Sequence, residues 1–213
     1  MKYDVIKRTT DIVLAIIIIL VFLPIDLIVI LFIKLESPDG PIFVELSDRV
    51  GKEGKLFRLL KFRSMIPNAH YRLYHDSKFK RLLEEYKKNS YKVVDDPRVT
   101  KVGRFIRKYS IDETPQLINV LRGEMSLVGP RPYYPEEIAN QRKEYPQSRE
   151  LIKDALSVPP GITGEWQVSG RSEINFDKRI LMDAKYAKEK SLWYDLRILI
   201  RTPLVMLSGK GAV

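Results

Sequence analysis

Residues 11–35 read DIVLAIIIILVFLPIDLIVILFIKL, an apolar run from Ile12 to Ile33 interrupted only by Pro24 and Asp26. As a straight helix, about 22 residues at 1.5 Å each would cover roughly 33 Å, enough for a hydrocarbon core of about 30 Å. The run is too long for the apolar part of a signal peptide, and no small-x-small cleavage pattern follows it, so it is expected to stay in the mature chain. Lys2, Lys7 and Arg8 precede it, and Lys34, Arg49, Lys52, Lys55, Arg58, Lys61 and Arg63 follow it. Cations at both ends satisfy the positive-inside tendency best when both ends share one side of the membrane. Pro24 removes a backbone donor near the middle and leaves two arms of roughly half a bilayer each. The expected arrangement is a re-entrant helix-break-helix anchor over residues 1–36; the alternative is a kinked helix that spans. Asp26 is costly in hydrocarbon under either arrangement. It can accept hydrogen bonds from backbone donors freed at the break, or carry a proton.

The 213 residues carry a net charge of +10, with 30% charged residues and no cysteine. The length suits one domain plus an anchor, here residues 37–213 behind residues 1–36. Disulfides, thiolate metal sites and cysteine nucleophiles are excluded, so a bound metal would be held by oxygen. The positive excess calls for an anionic partner.

Beyond the anchor, Ile42–Leu46 and Leu56–Phe62 read as two strands around a Gly-Lys-Glu-Gly turn. Residues 68–90 have helical spacing, and neither His70 nor His75 has a partner at metal-site spacing. Two short helices are expected around a junction at Ser110 to Asp112. The Gly- and Pro-rich stretch VPPGITGEWQVSGR is expected to be a shaped loop. A charged helix follows over residues 176–190. SLWYDLRILIRTPLVML then suits either a helix lying at a membrane interface or a buried core helix.

The junction carries adjacent carboxylates, Asp112 and Glu113, just after Arg104, Arg107 and Lys108. Capping explains them without function: Ser110-x-x-Glu113 fits a capping box, and Asp112 can itself be an N-cap. Against that, a carboxylate at a helix start beside several cations is expected to stay ionised, and an ionised aspartate is a competent nucleophile or Mg²⁺ ligand. Lys61, Arg63, Arg131 and Arg171 can neutralise a diphosphate. No Walker loop, dinucleotide fingerprint or Ser-His-Asp set is present.

Five stretches, KRTTD, the mid-anchor proline, KFRSM, DPRVTKVGRFIRKYSIDETPQLINVLRGEMSLVGPRP and PGITGEWQVSGR, together resemble the monotopic phosphoglycosyl transferases, a family of bacterial sugar transferases. The resemblance implies an α+β domain packed on a re-entrant anchor, with amphipathic helices in the interface, at the cytoplasmic face of the bacterial inner membrane. It implies transfer of a sugar 1-phosphate from a UDP-sugar to polyprenyl phosphate, usually undecaprenyl phosphate, releasing UMP and starting a surface glycan. It further implies attack by Asp112 to form an aspartyl-phosphosugar, assistance by Glu113, and Mg²⁺ against Asp112; it leaves room for a homodimer. Thr114 and Ile111 stand where the family more often has Leu, Glu165 interrupts an apolar pattern, and Asp26 exceeds the usual apolar anchor. Residues 70–95 match no motif.

A nucleic-acid binder is disfavoured, because the cations do not alternate with a stacking platform of aromatics. An inactive scaffold of the same fold, or a metal-dependent phosphodiesterase on a lipid-linked diphosphate, are the remaining rivals.

Overall fold

The computed structural model describes residues 2–88, 93, 95–170 and 174–208. Arg171 therefore lies outside the described residues.

The apolar run forms α1 (Lys2–Glu36), a single helix with Pro24 inside it. Pro24 has no N–H to offer the carbonyl one turn back, so that position contributes no helical hydrogen bond. Only Asp11, Ala15, Val29 and Ile33 are buried, while Leu20, Val21, Leu27, Ile28, Leu31 and Phe32 are among the many apolar side chains left exposed. A continuous apolar surface of that extent is not stable in water and requires lipid or a partner.

Polar contacts tie α1 to the rest of the chain from end to end. Near its start, Tyr3 donates to Asp195 (3.0 Å), Arg8 to the carbonyls of Val120 and Leu121, and Ser126 to Asp11 (2.7 Å). At its end, the Glu36 carboxylate accepts from the backbone N–H groups of Lys101 and Val102 at 2.7 and 2.9 Å. These are orphan donors of α4 (Lys101–Lys108), so the last residue of one helix satisfies the start of another. Thr100 caps the same end by accepting from Gly103 N–H at 2.9 Å. Gly103 has to be glycine, because a Cβ there would meet the Ser64 carbonyl oxygen at 1.9 Å.

The strands β1 (Phe43–Val50) and β2 (Leu56–Phe62) pair antiparallel around the expected turn, with β1 longer than the sequence reading. A register irregularity between Leu46 and Arg49 re-aims the end of β1, and Arg49 is buried. The charged segment divides into α2 (Ala69–His75) and α3 (Lys80–Lys88). His75 bonds to the Tyr71 carbonyl through Nδ1 and stacks on the Tyr71 ring.

The two helices expected around the acidic junction are α4 and α5 (Gln116–Arg122), the latter ended by Gly123 in the left-handed region (φ 82°). Asn119 of α5 is fully buried and acts as a piece of strand. Its Oδ1 accepts from Leu60 N–H (3.1 Å), and its Nδ2 donates to the Arg58 carbonyl (2.9 Å) and to Glu124 (2.6 Å). This fixes α5 against β2 and sets the junction over Lys61.

The stretch expected as a loop folds into regular elements instead. β3 (Ser126–Val128) pairs in parallel with β4 (Gly161–Thr163), and α8 (Glu165–Ser169) follows at once. The physical reason is glycine contact: a Cβ on Gly161 would lie 2.1 Å from Gly129 N, and one on Gly129 would lie 2.5 Å from the Pro159 carbonyl oxygen. Glycine here permits close pairing of two backbones, which turn signals alone do not reveal.

Between them lie α6 (Pro135–Glu144) and α7 (Arg149–Ala155), and the chain continues into α9 (Phe176–Glu189) and α10 (Leu192–Ser208). The last segment has one buried face and one exposed face. Tyr194 and Ile198 of α10 are buried in the main core, whereas Trp193, Leu196, Ile200 and Leu204 form an exposed apolar stripe.

Candidate active site

Asp112 and Glu113 sit in a 3₁₀ turn, Ile111–Glu113, between α4 and α5. Ser110 before it adopts a left-handed conformation (φ 55°), and its side chain makes no capping bond. The Ser110–Glu113 capping box is therefore not made, and the N-cap of α5 is Pro115 rather than Asp112. Their side chains turn toward β2, where Lys61 Nζ donates to Glu113 Oε1 at 2.6 Å and to Asp112 Oδ2 at 3.3 Å.

Asp112 is buried, 5% exposed. Burial raises its pKa, outweighing the lowering by the Lys61 ammonium, and the Glu113 charge raises it further. Arg107 helps to lower it, less strongly than Lys61. The expectation that neighbouring cations keep this carboxyl ionised is corrected: burial outweighs them, and the largest lowering comes from Lys61 on a distant strand rather than from Arg107. Lys61 is raised in turn: burial works against its charge, but the Asp112 and Glu113 carboxylates prevail. Lys61 stays protonated and serves both acids as a shared counter-ion.

Glu113 and Lys61 line a cleft with Arg49, Arg131, Gln116 and Gln167. Arg131 enters from the GPRP loop, its guanidinium 5.6 Å from the Trp166 ring centroid; Arg179 lies over the same ring at 4.7 Å. Arg63 goes elsewhere. Its guanidinium donates to the carbonyls of Asp39 (2.6 Å) and Ser37 (2.5 Å) and so holds the chain leaving α1. Arg49 is the cleft cation missing from the sequence reading. It stacks 3.2 Å from the Tyr134 ring centroid and donates to the Pro132 carbonyl, and its buried Nε has no hydrogen-bond partner. Its signal in the sequence is faint: an arginine two residues before the turn glycine Gly51, on a strand whose pairing is irregular.

The GPRP loop is tied down by Asp183 of α9, which is 1% exposed. Tyr133 O–H donates to it at 2.6 Å and Arg131 N–H at 3.4 Å. Burial pushes Asp183 up to about 7, against the lowering by the Tyr133 hydrogen bond. An acid raised on folding binds more protons in the native than in the unfolded state between about 4 and its folded value. Stability from this group is therefore lost as pH rises through that window. Relative to Asp183→Asn, the wild-type unfolding free energy is expected to fall by up to about 4 kcal/mol between pH 4 and pH 8. Denaturant unfolding in nonionic detergent across that range reads the difference, and parallel curves for the two proteins would refute it.

The arrangement is a buried carboxylate and its acidic neighbour, bridged by lysine at a cleft with two arginines. The model of a family described as "Bacterial sugar transferase" matches residues 2–209. This chain belongs to that family. It is 42% identical over 213 residues to undecaprenyl-phosphate galactose phosphotransferase of Salmonella typhimurium, an alignment covering 97% of this chain and 41% of that protein. It is 39% identical over 214 residues to UDP-glucose:undecaprenyl-phosphate glucose-1-phosphate transferase of Escherichia coli, again over 97% of this chain and 41% of the relative. The exopolysaccharide production protein ExoY of Sinorhizobium fredii is 39% identical over 203 residues, covering 95% of this chain and 86% of its own length. The chain thus spans about two-fifths of the length of the first two relatives.

Proposed function

We propose that this sugar transferase moves a sugar 1-phosphate from a UDP-sugar to polyprenyl phosphate, the undecaprenyl form by analogy with its relatives, and releases UMP. The observation that carries the reading is the Lys61 bridge to both carboxylates beside Arg49 and Arg131. In the first step the Asp112 carboxylate oxygen attacks the sugar-bearing phosphorus, and the bond from that phosphorus to the UMP oxygen breaks. In the second, an oxygen of the polyprenyl phosphate attacks the same phosphorus, its proton passes to Glu113, and the bond to Asp112 breaks. Dividing one displacement into two allows a single phosphate site to serve both donor and acceptor. Lys61, Arg49 and Arg131 oppose the charge that develops on the phosphate oxygens.

A magnesium ion fits the donor set. Asp112 and Glu113 are hard oxygen donors of the type the ion takes, and substrate phosphate and water would complete its shell. Asp112 would hold it, with Glu113 adjacent, and it would neutralise the diphosphate as a Lewis acid.

We further propose that residues 1–36 form a re-entrant anchor and residues 37–213 a catalytic domain on the cytoplasmic face of the inner membrane. The support is that Tyr3, Arg8 and Asp11 at one end of α1, and Glu36 at the other, bond to the same polar domain. A helix crossing the bilayer would have to place that domain on both sides. The exposed stripe of α10 gives the domain a second apolar face for the interface.

The decisive assay incubates the protein with Mg²⁺, polyprenyl phosphate and a panel of UDP-sugars. UMP release coupled to lipid-linked sugar diphosphate is expected with at least one donor; no turnover of any UDP-sugar, with hydrolysis of a lipid-linked sugar diphosphate supplied in a parallel arm, would favour the phosphodiesterase. Cysteines placed at residue 2 and just beyond residue 36 should both label only from the cytoplasm. Periplasmic labelling of either one defeats the re-entrant arrangement.

A further inference from the structure

Asp26 and Thr114, 88 residues apart, are two positions at which this chain departs from the pattern it otherwise resembles, and the fold brings them into contact. Thr114 Oγ1 lies 2.9 Å from Asp26 Oδ1 and 3.1 Å from the Ile111 carbonyl oxygen. Both residues are half-buried. Around Asp26 on α1, Ile25, Leu27 and Ile28 are exposed apolar side chains, so the carboxyl group lies on a surface built for hydrocarbon.

Thr114 has one hydroxyl proton and two acceptors within reach. A charged Asp26 would use that proton and still face lipid as an anion with a single hydrogen bond from this hydroxyl, a costly state. In the neutral acid, the Asp26 O–H donates to Thr114 Oγ1, and the Thr114 O–H donates to the Ile111 carbonyl. Each proton then has an acceptor and no charge enters hydrocarbon. Ile111 and Thr114 bracket Asp112 and Glu113, so this relay closes around the turn that carries the carboxylates. The turn is a single short 3₁₀ segment after a left-handed serine and has little rigidity of its own.

We propose that Asp26 is a positioning residue: as a neutral carboxylic acid in the anchor, it holds the Ile111–Thr114 turn through Thr114 and so aims the Asp112 carboxylate at the cleft. The proposal rests on the reading of Asp112 as the nucleophile. It also makes the anchor part of the site's geometry, since a shift of α1 would move the turn.

The test uses the full chain in lipid nanodiscs. Asp26→Leu and Thr114→Val should each lower kcat by about tenfold to a hundredfold, with KM for the UDP-sugar little changed, as expected when a reacting group is misaimed but substrate still binds. Asp26→Asn supplies an N–H to Thr114 without any charge, and should keep kcat within about threefold of wild type. Asp26→Leu combined with Thr114→Leu leaves no polar group unpaired and should recover activity above either single change.

Infrared difference spectra of wild type against Asp26→Asn, without substrate at neutral pH, should show a carboxylic-acid C=O stretch lost in the variant. That readout does not depend on turnover. If no UDP-sugar supports activity in any variant, the functional reading fails, while the infrared band still decides the state of Asp26. The proposal is overturned by wild-type kcat in Asp26→Leu or Thr114→Val, by Asp26→Asn as impaired as Asp26→Leu, or by absence of the band.

Discussion

Asp112→Asn is expected to reduce UMP release by roughly ten-thousandfold or more, since the variant keeps the shape of the side chain but loses the nucleophilic oxygen charge. The amide still fits beside Lys61, so binding of the UDP-sugar should survive, and isothermal calorimetry can confirm an occupied site in the inactive protein. A short incubation of wild type with a UDP-sugar labelled on the sugar-linked phosphate, followed by acid quench, should leave label on the protein. The same incubation with Asp112→Asn should leave none. Turnover by Asp112→Asn at the wild-type rate would falsify the covalent mechanism. Residual turnover without trapped label would point to direct transfer between the two substrates.

Removal of Lys61 should have the second largest effect, for an electrostatic reason. The ammonium touches both carboxylates and is the largest influence holding Asp112 down against burial. In Lys61→Met the two acids face each other with no cation between them. Asp112 is then raised further, so its ionised form appears only at higher pH. The acid limb of the kcat/KM profile should move upward in pH, and the rate at neutral pH should drop by about a hundredfold to a thousandfold. Lys61→Arg should restore part of the rate and bring the acid limb back down. A lowered rate with an unmoved acid limb would mean that Lys61 acts on the bound phosphate alone.

The sequence carried the components of the site more completely than their arrangement. Asp112 and Glu113 were legible as candidates, with capping left open by the residues alone and catalytic roles implied by the resemblance, and Lys61 was legible as a candidate from its place on a short cationic strand. Arg63, read from the sequence as one of four cations able to neutralise a diphosphate, instead places its guanidinium on two backbone carbonyls of the segment leaving α1. Arg49 was not legible, because what makes it a cleft residue is an irregular strand register and a stacked tyrosine from another element. The parallel pairing of β3 and β4 was hidden for a similar reason: each strand is three residues long and neither shows a periodic pattern.

By itself the sequence determined the elements whose cause is local. The apolar run of α1, the helices of suitable period, the hairpin turn and the adjacent acids are written in consecutive residues, and local sterics and hydrophobic spacing suffice to read them. Only the tertiary structure decided which distant groups share one environment: Lys61 between Asp112 and Glu113, Asp183 under the GPRP loop, and Asp26 against Thr114. Those contacts join residues about 50 to 90 positions apart. They exist because the packing of buried apolar faces sets the approach of the backbones, and the polar side chains then pair with whatever that packing places within reach.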